Sequence, residues 1–189
     1  MIGDDFSAVL AAAQQGDEAA FAALWHDGQP ALLRYLHVLT PDAAEDIAAE
    51  TWTYVVRGLA RFHGTEQNWR AWLFTTARRR VIDQTRQLIR RPATSLDALA
   101  DLTPADLPGL RSPDAADLAL ENLATRAAVG VIASLPPMQA EVIMLRVVAG
   151  LDTEAVAQLL GRSPGAVRIA AHRGLHRLAS LLAEAGVTR

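Results

Sequence analysis

The stretch that decides the fold is DTEAVAQLLGRSPGAVRIAAHRGLHRL, residues 152–178. Asp152 is a typical helix N-cap, Gly161 is a typical helix stop, and Ser163-Pro164 is a typical start of a second helix. Val156, Leu160 and Val167 fall where two crossing helices would bury them. A short helix, a glycine-containing turn and a longer helix predict a helix-turn-helix.

The second helix of this motif has the features of a nucleic-acid-binding surface. Its serine cap leaves backbone N–H groups and the positive end of the helix dipole free for a phosphate. In a helix-turn-helix, the second helix enters the major groove. The alternative is an ordinary helical hairpin with a solvated basic face. His172 and His176 have the i, i+4 spacing of metal ligands, but no third ligand is near in sequence, so we predict no metal site.

The distribution of charge supports contacts with a polyanion. The net charge of the 189 residues is −3, but nine arginines lie between Arg57 and Arg91 against two acids. Four more arginines and no acid lie between Arg162 and Arg177. Two separate basic patches on a mildly acidic chain indicate two contacts with one polyanion.

Two further helices are predicted upstream. The first covers Asp42–Leu59, with Thr40 as its N-cap and Pro41 at the first helical position, and the second runs from Gln67 to about Ile89. The second carries arginines and tryptophans, a combination suited to phosphates and unpaired bases. The i, i+3 spacing of Trp69 and Trp72 also fits core residues, and we favour the core for Trp72. The first begins with acids and carries Trp52. It is either a capped surface helix or a protein-docking face.

A proline-rich segment, 92–113, separates these helices from the rest. It contains four prolines and reads as an acidic linker. Further helices are predicted over Leu118–Ile132 and from Pro137 to Ala149. The chain is therefore predicted to be all-α, with two small helical domains, 1–91 and 114–189, joined by a Pro/Asp-rich linker.

Several classes of function are excluded or disfavoured. The chain has no cysteine, which excludes disulfides and thiol catalysis and fits a cytoplasmic location. The acidic N-terminus lacks the pattern of a signal peptide, and no stretch is apolar enough for membrane insertion. No cluster offers a nucleophile with its base, a glycine-rich phosphate loop or a metal set, so no catalytic residue, no cofactor and no enzymatic activity are predicted.

Three segments together resemble a known family. They are DAAEDIAAETW (42–52), RFHGTEQNWRAWLFTTARRRVIDQTR (61–86) and ASLPPMQAEVIMLRVVAGLDTEAVAQLLGRSPGAVRIAAHRGLHRL (133–178). In this order and at these separations they look like the signature segments of bacterial extracytoplasmic-function (ECF) sigma factors of the sigma-70 family. The resemblance covers residues from about Phe21 to Leu182. It implies a sigma2-like bundle, a linker, and a sigma4-like helix-turn-helix domain.

The resemblance also implies roles for residues. The partners it implies are core RNA polymerase, through the β′ clamp helices and the β flap, promoter DNA, and an anti-sigma factor. Residues on core polymerase-binding positions are Asp42, Glu45, Asp46, Glu50 and Trp52. Residues on −10 DNA-binding positions are Arg61, His63, Asn68, Trp69, Arg78, Arg79, Asp83 and Arg86. Residues on −35 DNA-binding positions are Arg162, Ser163, Gly165, Arg168, His172, Arg173 and Arg177.

The chain departs from the family pattern at three places. Ala49 stands where glutamine is common, Arg79 where asparagine is common, and Ile169-Ala170 where many relatives carry Ser-Arg. The resemblance therefore assigns the role of the last helix and not its individual base contacts. Two other classes stay open at this point: a stand-alone helix-turn-helix regulator, and a sigma-like decoy that binds an anti-sigma factor. The resemblance implies a cytoplasmic protein of transcription initiation in a stress response.

Overall fold

The computed structural model describes residues 2–90 and 127–184, with side chains described for 2–87 and 127–184. Throughout this part the chain forms helices and turns and no strand, which confirms the all-α prediction. The predicted linker, 92–113, and most of the predicted helix Leu118–Ile132 lie outside the described residues. The end of that helix is described, because residues 127–133 are helical.

Besides the helical stretch 127–133, seven α-helices carry the described fold. They are α1 (Phe6–Gln14), α2 (Glu18–Leu39), α3 (Ala44–Gly58), α4 (Glu66–Arg90), α5 (Pro137–Ile143), α6 (Thr153–Leu160) and α7 (Pro164–Glu184). Helix α5 continues as a π-helical turn, Met144–Val148.

Local capping explains where several of these helices begin. The side chain of Asp17 accepts from the N–H of Ala20 at 2.9 Å, so α2 starts with a satisfied N-cap. Thr40 lies at the N-cap position of the turn that leads into α3, with Pro41 at the start of that turn, as predicted. A 3₁₀ turn, Pro41–Ala43, precedes α3, and the Thr40 side chain forms no capping hydrogen bond.

The first four helices enclose an aromatic core. Trp52, Trp69 and Phe74 are buried, and Tyr35 meets Phe74 edge-to-face with ring centroids 5.3 Å apart. Gly28 lets α2 approach this core closely, because a Cβ there would lie 3.0 Å from Leu73 and 3.2 Å from Trp52. The core therefore holds α3 and α4 in fixed positions beside α2.

The C-terminal helices pack through a second close approach. Gly174 of α7 lies over α5, where an added Cβ would meet Ile143 at 2.7 Å. Val156 and Leu160 of α6 and Val167 of α7 are buried between the two helices, as the sequence pattern predicts. These contacts fix the angle at which α7 presents its outer face.

The two groups of helices pack against each other. Their buried apolar side chains form one continuous cluster, which runs from Phe6 in α1 to Ala170 in α7. Helix α2 contacts α5 and the π-helical turn, and α4 contacts α6. The described fold thus brings the helix-turn-helix directly against the N-terminal bundle.

Candidate nucleic-acid interfaces

The helix-turn-helix is built by local hydrogen bonds. Asp152 accepts from the N–H of Ala155 at 2.7 Å and starts α6. Gly161 ends α6 in the left-handed region at φ 63°, where a side chain would be strained. The Ser163 hydroxyl then accepts from the N–H of Ala166 at 3.2 Å and starts α7. The predicted cap, turn and second helix are all confirmed.

Helix α7 has a buried side and an exposed cationic side. Val167, Ala170 and Gly174 are buried against the core. The predicted −35 residues lie on the exposed side or in the turn before it: Arg162, Ser163, Gly165, Arg168, His172, Arg173 and Arg177. Within the described part of the chain, only Arg168 among these arginines has an ion-pair contact, with Glu154 at 3.8 Å, and both side chains are about two-thirds exposed. The structure therefore leaves this set open to a ligand.

The two histidines of α7 lie side by side at the edge of this cationic face. The rings of His172 and His176 have centroids 5.3 Å apart. Arg173, Arg177 and Gln139 surround them in an open depression. Among the described residues no group of three potential metal ligands occurs. Arginines beside the histidines suit an anion better than a metal cation.

Helix α4 divides the large basic patch into residues with different surroundings. Arg70 is buried, at 7% exposure, and its Nη2 lies 2.6 Å from Asp27 Oδ2 and 3.5 Å from Glu66 Oε1. Arg80 lies over the Tyr54 ring at 5.2 Å. Arg79 and Arg86 are exposed, with exposed Asp83 between them. Only part of the patch is available as a cationic surface.

Arg79, Asp83 and Arg86 form a stripe along α4. Spacings of four and three residues place them on one face of the helix. Arg79 also borders a groove between α4 and α6, together with Ala155 and Gln158. The candidate −10 surface and the helix-turn-helix are therefore neighbours in the described fold.

The segment before α4 and the first turn of α4 expose polar groups. Arg61, His63 and Asn68 are exposed. The Asn68 side-chain oxygen accepts from the N–H of Thr65 at 3.0 Å and from the Thr65 hydroxyl at 2.8 Å. This pair shapes the loop and holds the Asn68 side chain in place.

Two tryptophans assigned to binding positions are core residues in the structure. Trp69 is 1% exposed and Trp52 is 6% exposed. The Trp52 indole N–H donates to Gln29 Oε1 at 2.6 Å, and Trp69 packs edge-on to Phe62 and Trp72. In this arrangement neither side chain presents a free face, and the direct contacts predicted for both side chains stay predictions. Both instead support the helices that carry the exposed residues.

Helix α3 presents an acidic surface. Asp42, Glu45, Asp46 and Glu50 are all exposed. Glu45 lies 3.3 Å from His37 Nε2. Tyr54, one turn after Glu50, is 44% exposed and adds an aromatic surface at the far end. Acidic side chains with an aromatic neighbour suit a protein partner carrying positive charge.

Sequence reasoning missed Glu141, which joins the two groups of helices. Its Oε1 accepts from Arg78 Nε at 2.7 Å and from the Tyr35 hydroxyl at 3.1 Å. Burial, with Glu141 beside the hydroxyl, raises the pKa of Tyr35 well above its ordinary value. Arg78, one of the predicted −10 residues, is thus engaged by Glu141 in this arrangement.

Backbone carbonyls add to the same junction. Arg70 Nη1 donates to the carbonyl of Ala149 at 3.3 Å, and Gln67 Nε2 donates to the carbonyl of Gly150 at 3.1 Å. Gly150 has φ 69°, which directs the chain after the π-helical turn toward α6. No signal local to residues 149 and 150 indicates these long-range donors.

Comparison with known proteins assigns the family. The ECF RNA polymerase sigma factor ShbA of Streptomyces griseus is 35% identical over 192 residues, which cover 94% of this chain and 97% of that protein. The chain belongs to the ECF sigma factor family. Two family models also match, Sigma-70 region 2 over residues 24–91 and Sigma-70 region 4 over residues 125–178.

Other members of the family and its solved structures agree. The ECF RNA polymerase sigma factor SigD of Mycobacterium tuberculosis is 30% identical over 192 residues, covering 98% of this chain and 88% of that protein. The sigma factor RpoE of Bartonella quintana, solved in complex with the anti-sigma factor NepR, has the same fold, with a TM-score of 0.60 and 24% identity over 89% of this chain and 98% of that one. In this ECF sigma factor, α2 to α4 fall largely in the region 2 match, and α5 to α7 fall largely in the region 4 match.

Proposed function

We propose that this ECF sigma factor binds core RNA polymerase and directs promoter-specific transcription initiation by contacting the −10 and −35 elements. The observation that carries the proposal is the exposed cationic face of α7, the second helix of a helix-turn-helix whose helices begin and end at the predicted residues. The same chain also contains a region 2 bundle. A stand-alone regulator would not need that bundle. The protein selects the site of initiation, and the polymerase performs the chemistry.

Contact with the −35 element belongs to the helix-turn-helix. The N-terminal half of α7 would lie in the major groove, where Arg168 and Arg173 flank the helix and reach phosphates or guanine edges. Ser163 and Gly165 bring the helix N-terminus close to the DNA backbone. Arg162, His172 and Arg177 extend the positive surface on either side, which adds affinity without sequence preference.

Contact with the −10 element belongs to α4 and the loop before it. Arg79, Asp83 and Arg86 form the exposed stripe. Arg61 and His63 before α4, and Asn68 in its first turn, add exposed polar groups at the start of the helix. Exposed polar and cationic groups next to a rigid aromatic core suit an unstacked strand. Trp69 supports this surface from beneath. Arg78 Nε is engaged by Glu141 in this arrangement, and release from Glu141 would make the whole guanidinium available to this surface.

Docking on core polymerase is proposed for the acidic face of α3. Asp42, Glu45, Asp46 and Glu50 would meet the β′ clamp helices, with Trp52 holding α3 on the bundle from inside. The helix-turn-helix domain would meet the β flap. The corresponding division of the chain is 1–91 for polymerase binding and the −10 element, 92–113 for the linker, and 114–189 for the −35 element.

An anti-sigma factor is the further partner that we propose. Its support is the complex of the similar RpoE of Bartonella quintana with the anti-sigma factor NepR. Within residues 2–90 and 127–184, no helix is long and apolar enough to span a membrane. We propose that the protein acts in the cytoplasm, where core polymerase and promoter DNA are found.

Charge reversal on α3 tests the docking proposal. Asp46 and Glu50 are exposed and one turn apart, so Asp46→Lys/Glu50→Lys reverses the surface without touching the core. A matched control, Asp4→Lys/Glu18→Lys, makes the same change of charge at two exposed positions, one just before α1 and one at the start of α2. We expect the first variant to lose retention on immobilised core polymerase and the control to keep it. Equal retention of both would contradict docking through α3.

A further inference from the structure

An apolar side chain stands in the middle of the cationic face of α7. Ile169 is 54% exposed, while its neighbour Ala170 is 8% exposed and faces the core. At about 100° per residue, Ile169 points roughly 160° away from the buried Val167. Of the two positions where this chain departs from the Ser-Arg pattern of many relatives, only Ile169 therefore faces outward.

The surroundings of Ile169 separate it from an ordinary exposed hydrophobic residue. Single exposed apolar side chains are common on protein surfaces and need no explanation by themselves. Here Arg168 precedes Ile169 directly, and His172 and Arg173 follow one turn later on the same exposed side. An apolar group framed by cations is complementary to a surface that combines phosphates with an apolar patch.

The major groove of DNA offers one such apolar patch. The C5-methyl group of thymine is the apolar feature among its base edges, and aliphatic side chains contact it. Ile169 is the sixth residue of α7, which begins at Pro164. Residues in the first turns of the second helix of a helix-turn-helix approach the base edges. Both its chemistry and its place on the helix therefore suit a contact with a base rather than with the DNA backbone.

We propose that Ile169 is a specificity-determining residue that reads the methyl group of a thymine in the −35 element. This inference rests on the proposed −35 contact of α7 and adds the identity of a base. Contact between Ile169 and the methyl group removes apolar surface of both from water, which stabilises the complex. Cytosine and the purines carry no methyl group at that position and do not provide this contact. Burying one methyl group corresponds to about a three- to five-fold change in affinity.

Replacement of thymine by deoxyuridine tests this contact, because it removes only the methyl group. The full-length protein with core polymerase is bound to its upstream promoter region, with each −35 thymine replaced singly. We expect the wild type to lose about three- to five-fold in affinity at one position. Ile169→Ala should bind the thymine template with a similar loss and should not respond to deoxyuridine at that position. Leu175→Ala, which removes another exposed apolar side chain from α7, should keep the wild-type response.

The outcomes distinguish this inference from the proposed function. Specific binding that no deoxyuridine substitution weakens would overturn the methyl contact while leaving −35 recognition intact. An equal response of wild type and Ile169→Ala would assign the methyl effect to another residue and would also overturn it. Failure to form any specific complex on the thymine template would overturn the proposed function and this inference with it.

Discussion

Replacing Arg70 by methionine should destabilise the fold without removing a DNA contact. The substitution keeps an unbranched stem that reaches about as far as Nε, and it removes the guanidinium that neutralises Asp27 and Glu66, whose side chains are 14% and 17% exposed. Removing one partner of a buried ion pair costs about 3–5 kcal/mol. We expect a value near 3 kcal/mol, because Glu66 keeps hydrogen bonds from the N–H groups of Ile2 and Gly3 at 2.9 and 3.1 Å.

Urea unfolding followed by tryptophan fluorescence measures this loss. Trp52 and Trp69 lie in the core and report its exposure. With a slope of about 2 kcal/mol per molar urea, a loss of 3 kcal/mol lowers the midpoint by about 1.5 M. Arg79→Met is the matched control on the same helix. Because Arg79 is exposed, its free energy of unfolding should change by less than about 0.5 kcal/mol.

The two variants, Arg70→Met and Arg79→Met, also separate an effect on stability from an effect on DNA binding. Arg79→Met should weaken promoter binding. Arg70→Met should keep the wild-type affinity for promoter DNA when it is measured at low temperature without urea, where the variant is folded. If Arg70→Met lost DNA affinity and kept its urea midpoint, the division of the basic patch into buried and exposed arginines would be refuted.

Three further predictions concern the junction and the turn. Arg78→Ala and Glu141→Ala should show a coupling free energy of about 1 kcal/mol in a double-mutant cycle of thermal unfolding, and strictly additive losses would contradict the contact between them. Gly161→Ala should lower the free energy of unfolding by about 1 kcal/mol and Tm by about 2–4 °C, because a φ of 63° at this position strains any side chain. The control, Gly165→Ala, lies at an ordinary helical position and should not lower Tm. The raised pKa of Tyr35 means that the folded state favours its neutral form. The contribution of neutral Tyr35 to the free energy of unfolding is therefore fully present below a pH of about 10, and it is lost as the pH rises through the raised pKa. Spectrophotometric titration should show one tyrosine that ionises above the ordinary tyrosine pKa in the wild type and that is missing from Tyr35→Phe. Ionisation of Tyr35 at the ordinary tyrosine pKa would contradict its burial.

The parts of the fold predicted from sequence are those set by local interactions. Helix α6 runs from Thr153 to Leu160, as predicted, because Asp152 and Gly161 act within one turn of its ends. Ser163 starts α7 for the same reason. Thr40 precedes the first turn, as predicted, but Pro41–Ala43 winds as a 3₁₀ turn before α3 begins and the Thr40 side chain forms no capping hydrogen bond. Capping preferences alone do not indicate that difference.

The surroundings of the arginines could not be predicted, because their partners are distant in sequence. Arg70 meets Asp27 across 43 positions and Arg78 meets Glu141 across 63 positions. Counting charges along the chain treats both as members of one basic patch. Only the packing of α2, α4 and α5 shows that these two arginines have acidic partners while Arg79 stays exposed.

The burial of aromatic residues has a similar explanation. An i, i+3 pair such as Trp69 and Trp72 fits a core face and a base-stacking face equally well. The structure buries Trp69 and stacks the partly exposed Trp72 on Phe62, with ring centroids 5.1 Å apart. Which face of α4 is covered depends on α2 and α3, and helical periodicity alone does not identify it.

The most direct test of the central proposal is transcription reconstituted from purified parts: this protein, core RNA polymerase and a template with its upstream region. Arg168→Ala/Arg173→Ala is run beside the wild type, with Ala179→Ser, an exposed substitution on the same helix, as the control. We predict a discrete transcript that the control keeps and that the double substitution weakens. A polymerase that initiates no more specifically with this protein than without it would contradict the account.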